Sequence, residues 1–200
     1  MKSKLFQFIF VVAFVFSLPF IANAQYLTTD LVLLKVGYIP IYTVSFDEDN
    51  ADDSENKGIA VQGEYNLNSG NFWLGFGFEY QRMVNDDEDD YINHFLLPMV
   101  SAKFVATGGL YVGAGLAGKY LVSAETPSGA EEPDKKIDLW VNGIMGYHLP
   151  IAEAVFLDIE GRFGWNITNQ QFDESSKEVS NAYDLGFYIG IGTRAMASEL

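Results

Sequence analysis

His94 and His148 are the only two histidines in the chain, and there is no cysteine. That pair is therefore the whole supply of side chains whose ordinary titration falls near neutral pH. The lack of cysteine removes a thiol nucleophile, a thiolate metal site, a disulfide framework and a lipidated cysteine. An acyl-transfer site needs a serine and an acidic partner arranged about a histidine. Asp86–Asp90 lie close to His94 in sequence, but no adjacent serine is evident, so His94 reads as a rim residue rather than a base. Two acidic runs, Asp47-Glu48-Asp49-Asn50-Ala51-Asp52-Asp53 and Asp86-Asp87-Glu88-Asp89-Asp90, invite a calcium reading. Neither has the Gly and downstream Glu of a calcium-binding loop. They read as solvated, self-repelling loops, with weak divalent-cation binding as the sharper alternative. Neither a catalytic residue, a cofactor site nor a built metal site is expected.

Charge narrows the partners. The 200 residues carry 12 Lys and Arg against 27 Asp and Glu, a formal charge of −15. Phosphate backbones repel such a chain, which excludes nucleic-acid binding. The N-terminus has its own address. Met1-Lys2-Ser3-Lys4 is a short basic segment, Leu5 to Phe16 is apolar, and Ala22-Asn23-Ala24 is a small-x-small cleavage site. Residues 1–24 are thus expected to be a cleaved secretory signal peptide, leaving 25–200 as one exported domain.

Beyond the leader no segment is long and apolar enough for a membrane helix, and no 3.6-residue period is sustained. Alternation with period two recurs instead, over 31–45, 58–67, 72–83, 92–104, 110–122, 137–148, 155–166 and 182–195. The connections alternate in kind. Asn68-Ser69-Gly70-Asn71, Thr107-Gly108-Gly109 and the segment from Pro150 to Ala154 are short turns. The segments 46–57, 84–91, 123–136 and 167–181 are longer and polar, and carry 18 of the 27 acidic residues. In an up-and-down antiparallel arrangement all the long loops fall at one end. The expected fold is all-β, an eight-stranded antiparallel up-and-down transmembrane barrel.

Strand alternation alone does not say which face meets lipid, but the composition of the faces does. On every strand one face is bulky and uncharged, while the other mixes glycine with a few charges. The bulky face is bounded by aromatics: Tyr42, Tyr80, Tyr120 and Trp165 at the long-loop rim, Tyr65, Phe72, Phe104 and Tyr147 at the other. Two aromatic girdles about an apolar band suit a bilayer, where a mid-depth charge would cost about 2–4 kcal/mol. The inward face then carries Lys35, Lys103, Lys119, Arg162 and Arg194 against Glu64, Glu79, Asp138, Asp158, Glu160 and Asp184. So balanced a set predicts an internal ion-pair network. Gly37, Gly75, Gly77, Gly113, Gly115, Gly146, Gly164, Gly186, Gly190 and Gly192 share that face and make room for its large side chains. Leu31, Leu33, Ile39 and Ile41 of the first strand, with Phe95, Leu97 and Met99 of the fourth, are expected inside as core or as the lining of an apolar slot. Pro40 and Pro98 each predict a bulge.

Phe95-Leu96-Leu97-Pro98-Met99-Val100-Ser101-Ala102-Lys103-Phe104, followed by Gly109-Leu110-Tyr111-Val112-Gly113-Ala114-Gly115, resembles a strand-pair motif of small outer-membrane β-barrel proteins of the Bacteroidetes type, which are porin-like or OmpA/OmpX-like. Leu185 to Gly192 is similar to their closing strand. The resemblance implies the bacterial outer membrane, with its lipid and lipopolysaccharide as partners and the barrel assembly machinery acting during insertion. It transfers no catalytic residue. Such proteins often end on an aromatic residue, whereas this chain ends Met196-Ala197-Ser198-Glu199-Leu200. The expected role is non-enzymatic, with acidic extracellular loops serving envelope integrity or surface contact; weak divalent cations bridging those loops to lipopolysaccharide are the sharper alternative to loops that are simply solvated. The alternatives are a narrow pore or hydrophobic-solute transport barrel, a secreted lipocalin-like binder, and a lipid-modifying enzyme centred on His94.

Overall fold

The computed structural model describes residues 30–46, 54–85, 91–106, 108–125, 137–168 and 179–195. The residues expected to form a leader, most of the acidic loops and the C-terminal residues fall outside them. Eight strands follow one another: β1 (Leu31–Phe46), β2 (Ser54–Ser69), β3 (Phe72–Asn85), β4 (Ile92–Val105), β5 (Leu110–Glu125), β6 (Ile137–Pro150), β7 (Val155–Asn166) and β8 (Val179–Arg194). Each pairs antiparallel with its sequence neighbour, and β8 returns to β1, closing the barrel. Closure leaves no strand edge unpaired. The expected strands are all present; β2 begins four residues early, taking Glu55 and Lys57 out of the expected loop and into the sheet.

The short turns gather at one end with both described termini. Gly70 (φ 68°) opens the two-residue β2–β3 turn and Gly109 (φ 91°) closes the β4–β5 turn, left-handed conformations that favour glycine. This end is also stitched sideways. Ala195 donates to the Asp30 carbonyl at 2.8 Å, His148 to that of Gly109 at 2.9 Å and Val105 to that of Asn71 at 2.8 Å.

One residue of irregularity in β1 changes which side chains face in. The register slips between Ile39 and Tyr42 against β2, and between Tyr38 and Ile41 against β8. The extra residue sits at Pro40, which has no N–H to give to a ladder. Past this bulge the parity inverts. Tyr42, expected in the outer girdle, is instead buried inside at 7% exposure, and Ile41, expected inside, stands out at 43%. Pro98 has no such effect, since β4 keeps its register with β3 straight through it. The second bulge lies on β5, where His94 faces Ser123 while Phe95 faces Leu121.

The rest of the alternation is as the residue pattern predicts. Leu34, Val36, Phe76, Phe78, Leu116, Met145, Phe187 and Ile191 point outward and are exposed. Lys35, Glu79, Lys103, Asp158 and Glu160 point inward and are buried. The ten glycines assigned inward from sequence face packed side chains, and so does Gly58, which lies against Met83. A Cβ on Gly37 would run into the ring of Tyr188, one on Gly146 into Tyr111 and one on Gly190 into Lys35. A Cβ on the outward Gly63 would meet nothing within 4 Å.

Candidate functional site

The interior is layered. At the short-turn mouth an apolar layer of Leu31, Trp73, Val105, Tyr111, Ile144 and Phe156 closes the barrel. Above it lies a cluster of three cations and four carboxylates from five strands. Lys35 of β1 is 2.6 Å from Glu160, 2.7 Å from Glu64 and 3.3 Å from Asp158. Lys103 of β4 pairs with Glu64 and lies 3.6 Å from Glu160. Arg162 of β7 donates to Glu79 and to Glu160, each at 2.6 Å, and to the Gln62 side-chain carbonyl at 2.7 Å. Its guanidinium stacks 4.3 Å over the ring of Tyr188, whose hydroxyl donates to Glu79 at 3.0 Å. The Tyr111 hydroxyl is 3.0 Å from both Asp158 and Glu160. His148, stacked between Trp73 and Tyr111, puts Nδ1 2.8 Å from Asp158. Each charge thus meets several partners, the condition under which buried ions are tolerated.

The long-loop half of the lumen is organised differently. Ile39, Val44, Met83, Phe95, Leu97, Met99, Leu121 and Trp140 fill it. One cation, Lys119, stands among them. Its ammonium is 3.9 Å from the Tyr42 ring centre, 4.5 Å from Trp140 and 4.7 Å from Phe95, with Asp184 at 3.7 Å. The inward turn of Tyr42 at the Pro40 bulge supplies the nearest face of this cage. Asp138, directly across the ladder from Lys119, accepts a bond from the Thr168 hydroxyl at 3.2 Å.

The interior set named from sequence therefore divides. Lys35, Glu64, Glu79, Lys103, Asp158, Glu160 and Arg162 come together in one cluster; Lys119, Asp138 and Asp184 form a second group nearer the loops. Arg194 stands apart at the short-turn mouth, half-buried, 5.8 Å from the Phe156 ring. Sequence reading missed Gln62, Tyr111, Tyr188 and His148 as partners, although all four lie on the inward parity. Between the two groups a cavity of about 10 Å³, lined by Gln81, Leu97, Trp140, Asn142, Arg162, Asp184 and Tyr188, has room for one water. The apolar residues considered as a slot are packed as core: Leu31, Leu33 and Ile39 are each 1% exposed.

On the outside, Tyr80, Tyr120 and Trp165 lie exposed toward the long-loop end, and Tyr65, Phe72 and Phe104 toward the other, with Tyr147 half-buried. Tyr183 of β8, on the bulky wall by parity but not named in the girdle, packs against Phe163 beside Trp165. His94 faces outward. Its Nδ1 is 2.6 Å from the Tyr80 hydroxyl, its ring stacks on Tyr80, and Nε2 is 3.5 Å from Glu125. The serine not evident from sequence is Ser123, which the register sets opposite His94. Both ring nitrogens are turned to Tyr80 and Glu125 instead. Among the described residues no group of three or more His, Asp or Glu is arranged to hold a metal ion; the two acidic runs lie outside those residues.

Comparison with solved structures returns the same architecture. The chain superposes on Neisserial surface protein A with a TM-score of 0.57 at 13% identity, over 87% of this chain and 99% of that one. It superposes on the outer membrane protein OprG from Pseudomonas aeruginosa with a TM-score of 0.55 at 8% identity, over 84% and 97%. At such identities the likeness is one of fold: a closed eight-stranded antiparallel barrel. No protein-family model matches the chain, and no curated protein matches it.

Proposed function

We propose that this chain is an integral outer-membrane barrel of a bacterial envelope, non-enzymatic, in which a solid barrel anchors acidic loops on the outer side for envelope integrity or surface contact. The observation that carries this reading is the inversion of polarity. Val36, Phe78, Leu116, Ile137 and Ile191 are each at least half exposed on the outer wall, while Lys35, Glu79 and Asp158 are wholly enclosed. A water-soluble barrel would be arranged the other way round, because an exposed apolar surface of this extent is unfavourable in water. The strands, 12 to 16 residues long, exceed the roughly 9–11 residues a tilted strand needs to cross a bilayer. The fold shared with OprG, by name an outer membrane protein, supports the same location. The packed lumen supports an anchor over a pore or a solute channel.

Gel mobility of the membrane fraction, with and without boiling, tests the architecture in place: the unboiled protein is expected in the outer membrane with a mobility that changes on heating. Soluble protein in the periplasm or medium would overturn the reading. In planar bilayers the purified protein is expected to be electrically silent, and steady unitary conductance would favour the pore.

A further inference from the structure

We propose that the cavity between the two interior charge groups is a binding site for one ordered water molecule, which accepts a hydrogen bond from the Trp140 indole and donates to Gln81 and Asp184. The inference concerns the inside of the barrel and does not depend on what surrounds its outer wall. It begins from the polar atoms that the ion pairs leave over. Gln81, Trp140, Arg162 and Tyr188 all line the cavity, and each is no more than 4% exposed, so bulk water does not reach them. Most of their polar groups are committed. Arg162 directs its donors to Glu79, Glu160 and Gln62, and the Tyr188 hydroxyl donates to Glu79. The Gln81 side-chain amide also donates to Glu79, at 2.6 Å. Two buried atoms remain: among the described residues nothing bonds the Gln81 side-chain oxygen or the Trp140 indole nitrogen.

The packing of Trp140 explains its free donor. Its ring lies 4.5 Å from the Lys119 ammonium and 5.9 Å from the Tyr42 ring, and these contacts leave the N–H at the ring edge without an acceptor. Asp184, also in the lining, holds Lys119 at 3.7 Å, longer than a hydrogen bond, so its carboxylate retains capacity for a donor. A donor, an acceptor and a carboxylate thus border one space of about 10 Å³, the size of a single water. Charge excludes other occupants. A cation would be placed beside Arg162 and near Lys119, and an anion beside Asp184. A dry cavity would leave two buried polar atoms unpaired. A water that accepts once and donates twice matches what the lining presents. It also joins what the strands keep apart. Gln81 is bonded to Glu79, and through it to Arg162, while Asp184 is paired with Lys119. One water between Gln81 and Asp184 ties the ion cluster to the caged lysine.

Nuclear Overhauser effects between water and the folded full chain read the site at the Trp140 indole proton, assigned from its loss in Trp140→Phe. The parent protein is expected to show a cross-peak to water with the sign of a molecule that tumbles with the barrel. Trp73 is the internal control: its indole donates to the Gly70 carbonyl at 3.1 Å and is expected to show none. Gln81→Met, close in shape but without the acceptor, is expected to weaken the Trp140 cross-peak about fivefold, the ratio that losing one neutral hydrogen bond produces. A parent spectrum without the cross-peak overturns the site, as do equal cross-peaks at Trp73 and Trp140. A signal relayed by exchange with the Lys119 ammonium would persist at full intensity in Gln81→Met, and that result overturns it too. Heat-dependent gel mobility shows whether Gln81→Met is folded; if it is not, the Trp140 and Trp73 signals of the parent decide alone.

Discussion

The two halves of the lumen hold charge by opposite means. Near the short turns, Lys35 and Arg162 each touch two or more carboxylates, drawn from β2, β3 and β7. Near the loops, Lys119 has one carboxylate at 3.7 Å and three aromatic faces within 4.7 Å. The first arrangement depends on many fixed partners and fails when one is removed. The second depends on ring quadrupoles, which remain when the cation is replaced by an apolar chain of similar length. The difference teaches that a buried charge is costly chiefly when its partners are left behind.

The sharpest way to break the comparison is Glu160→Ala, which strips Lys35, Arg162, Lys103 and the Tyr111 hydroxyl of a shared acceptor. Denaturant unfolding in lipid vesicles is expected to show a loss of about 3–5 kcal/mol, the cost of leaving buried charge unpaired. Replacing both members of a pair should cost less. The Glu79→Leu/Arg162→Met variant is expected to unfold at higher denaturant than Arg162→Met alone, and the reverse order would mean that the cluster is held by packing. A steric test of the same half is Gly146→Ala, whose Cβ would press on the Tyr111 ring and on the Ile159 carbonyl at 2.5 Å. A loss of about 1–3 kcal/mol is expected in the same unfolding assay. In the loop-side half, Lys119→Met combined with Asp184→Asn should change stability by about 1 kcal/mol or less, since the pair is removed whole and the lost cation–π contact is offset by relief from burying charge. A loss as large as that of Glu160→Ala would erase the distinction drawn here. Smallest of all is Gly63→Ala on the outer wall, expected within about 0.5 kcal/mol because its Cβ meets nothing.

Particular residues mark how far the sequence could be read. Period-two alternation locates all eight strands, because each has one wall of Leu, Val, Ile and Phe and another of Gly and charge, and parity then assigns Lys35, Glu79 and Glu160 to the interior. It fails at Tyr42 and Ile41, since a single extra residue at Pro40 inverts everything beyond it toward the loop. Pro98, the same residue type, leaves the register intact, so a proline alone does not announce a bulge. His94 was legible as a rim residue, but its neighbours were not. Tyr80 is 14 positions away and Ser123 is 29, and only the β3–β4 and β4–β5 registers bring them beside it. The division of the interior charges into a cluster, a caged lysine and an outlying Arg194 was equally hidden. Parity places a side chain inside without saying at what depth.

The pairing of β1 with β8 gives the order of assembly a physical penalty. Lys35 enters with the first strand, while Glu160, its nearest carboxylate, follows 125 residues later on the seventh. A half-built sheet in an apolar medium would therefore carry an ammonium with only Glu64 for company and an open row of backbone donors. Both defects disappear only when the last strand reaches the first. Stability in such a barrel arrives late and all at once, and a chain truncated before β7 is left with neither a seam nor the Asp158 and Glu160 carboxylates that hold Lys35.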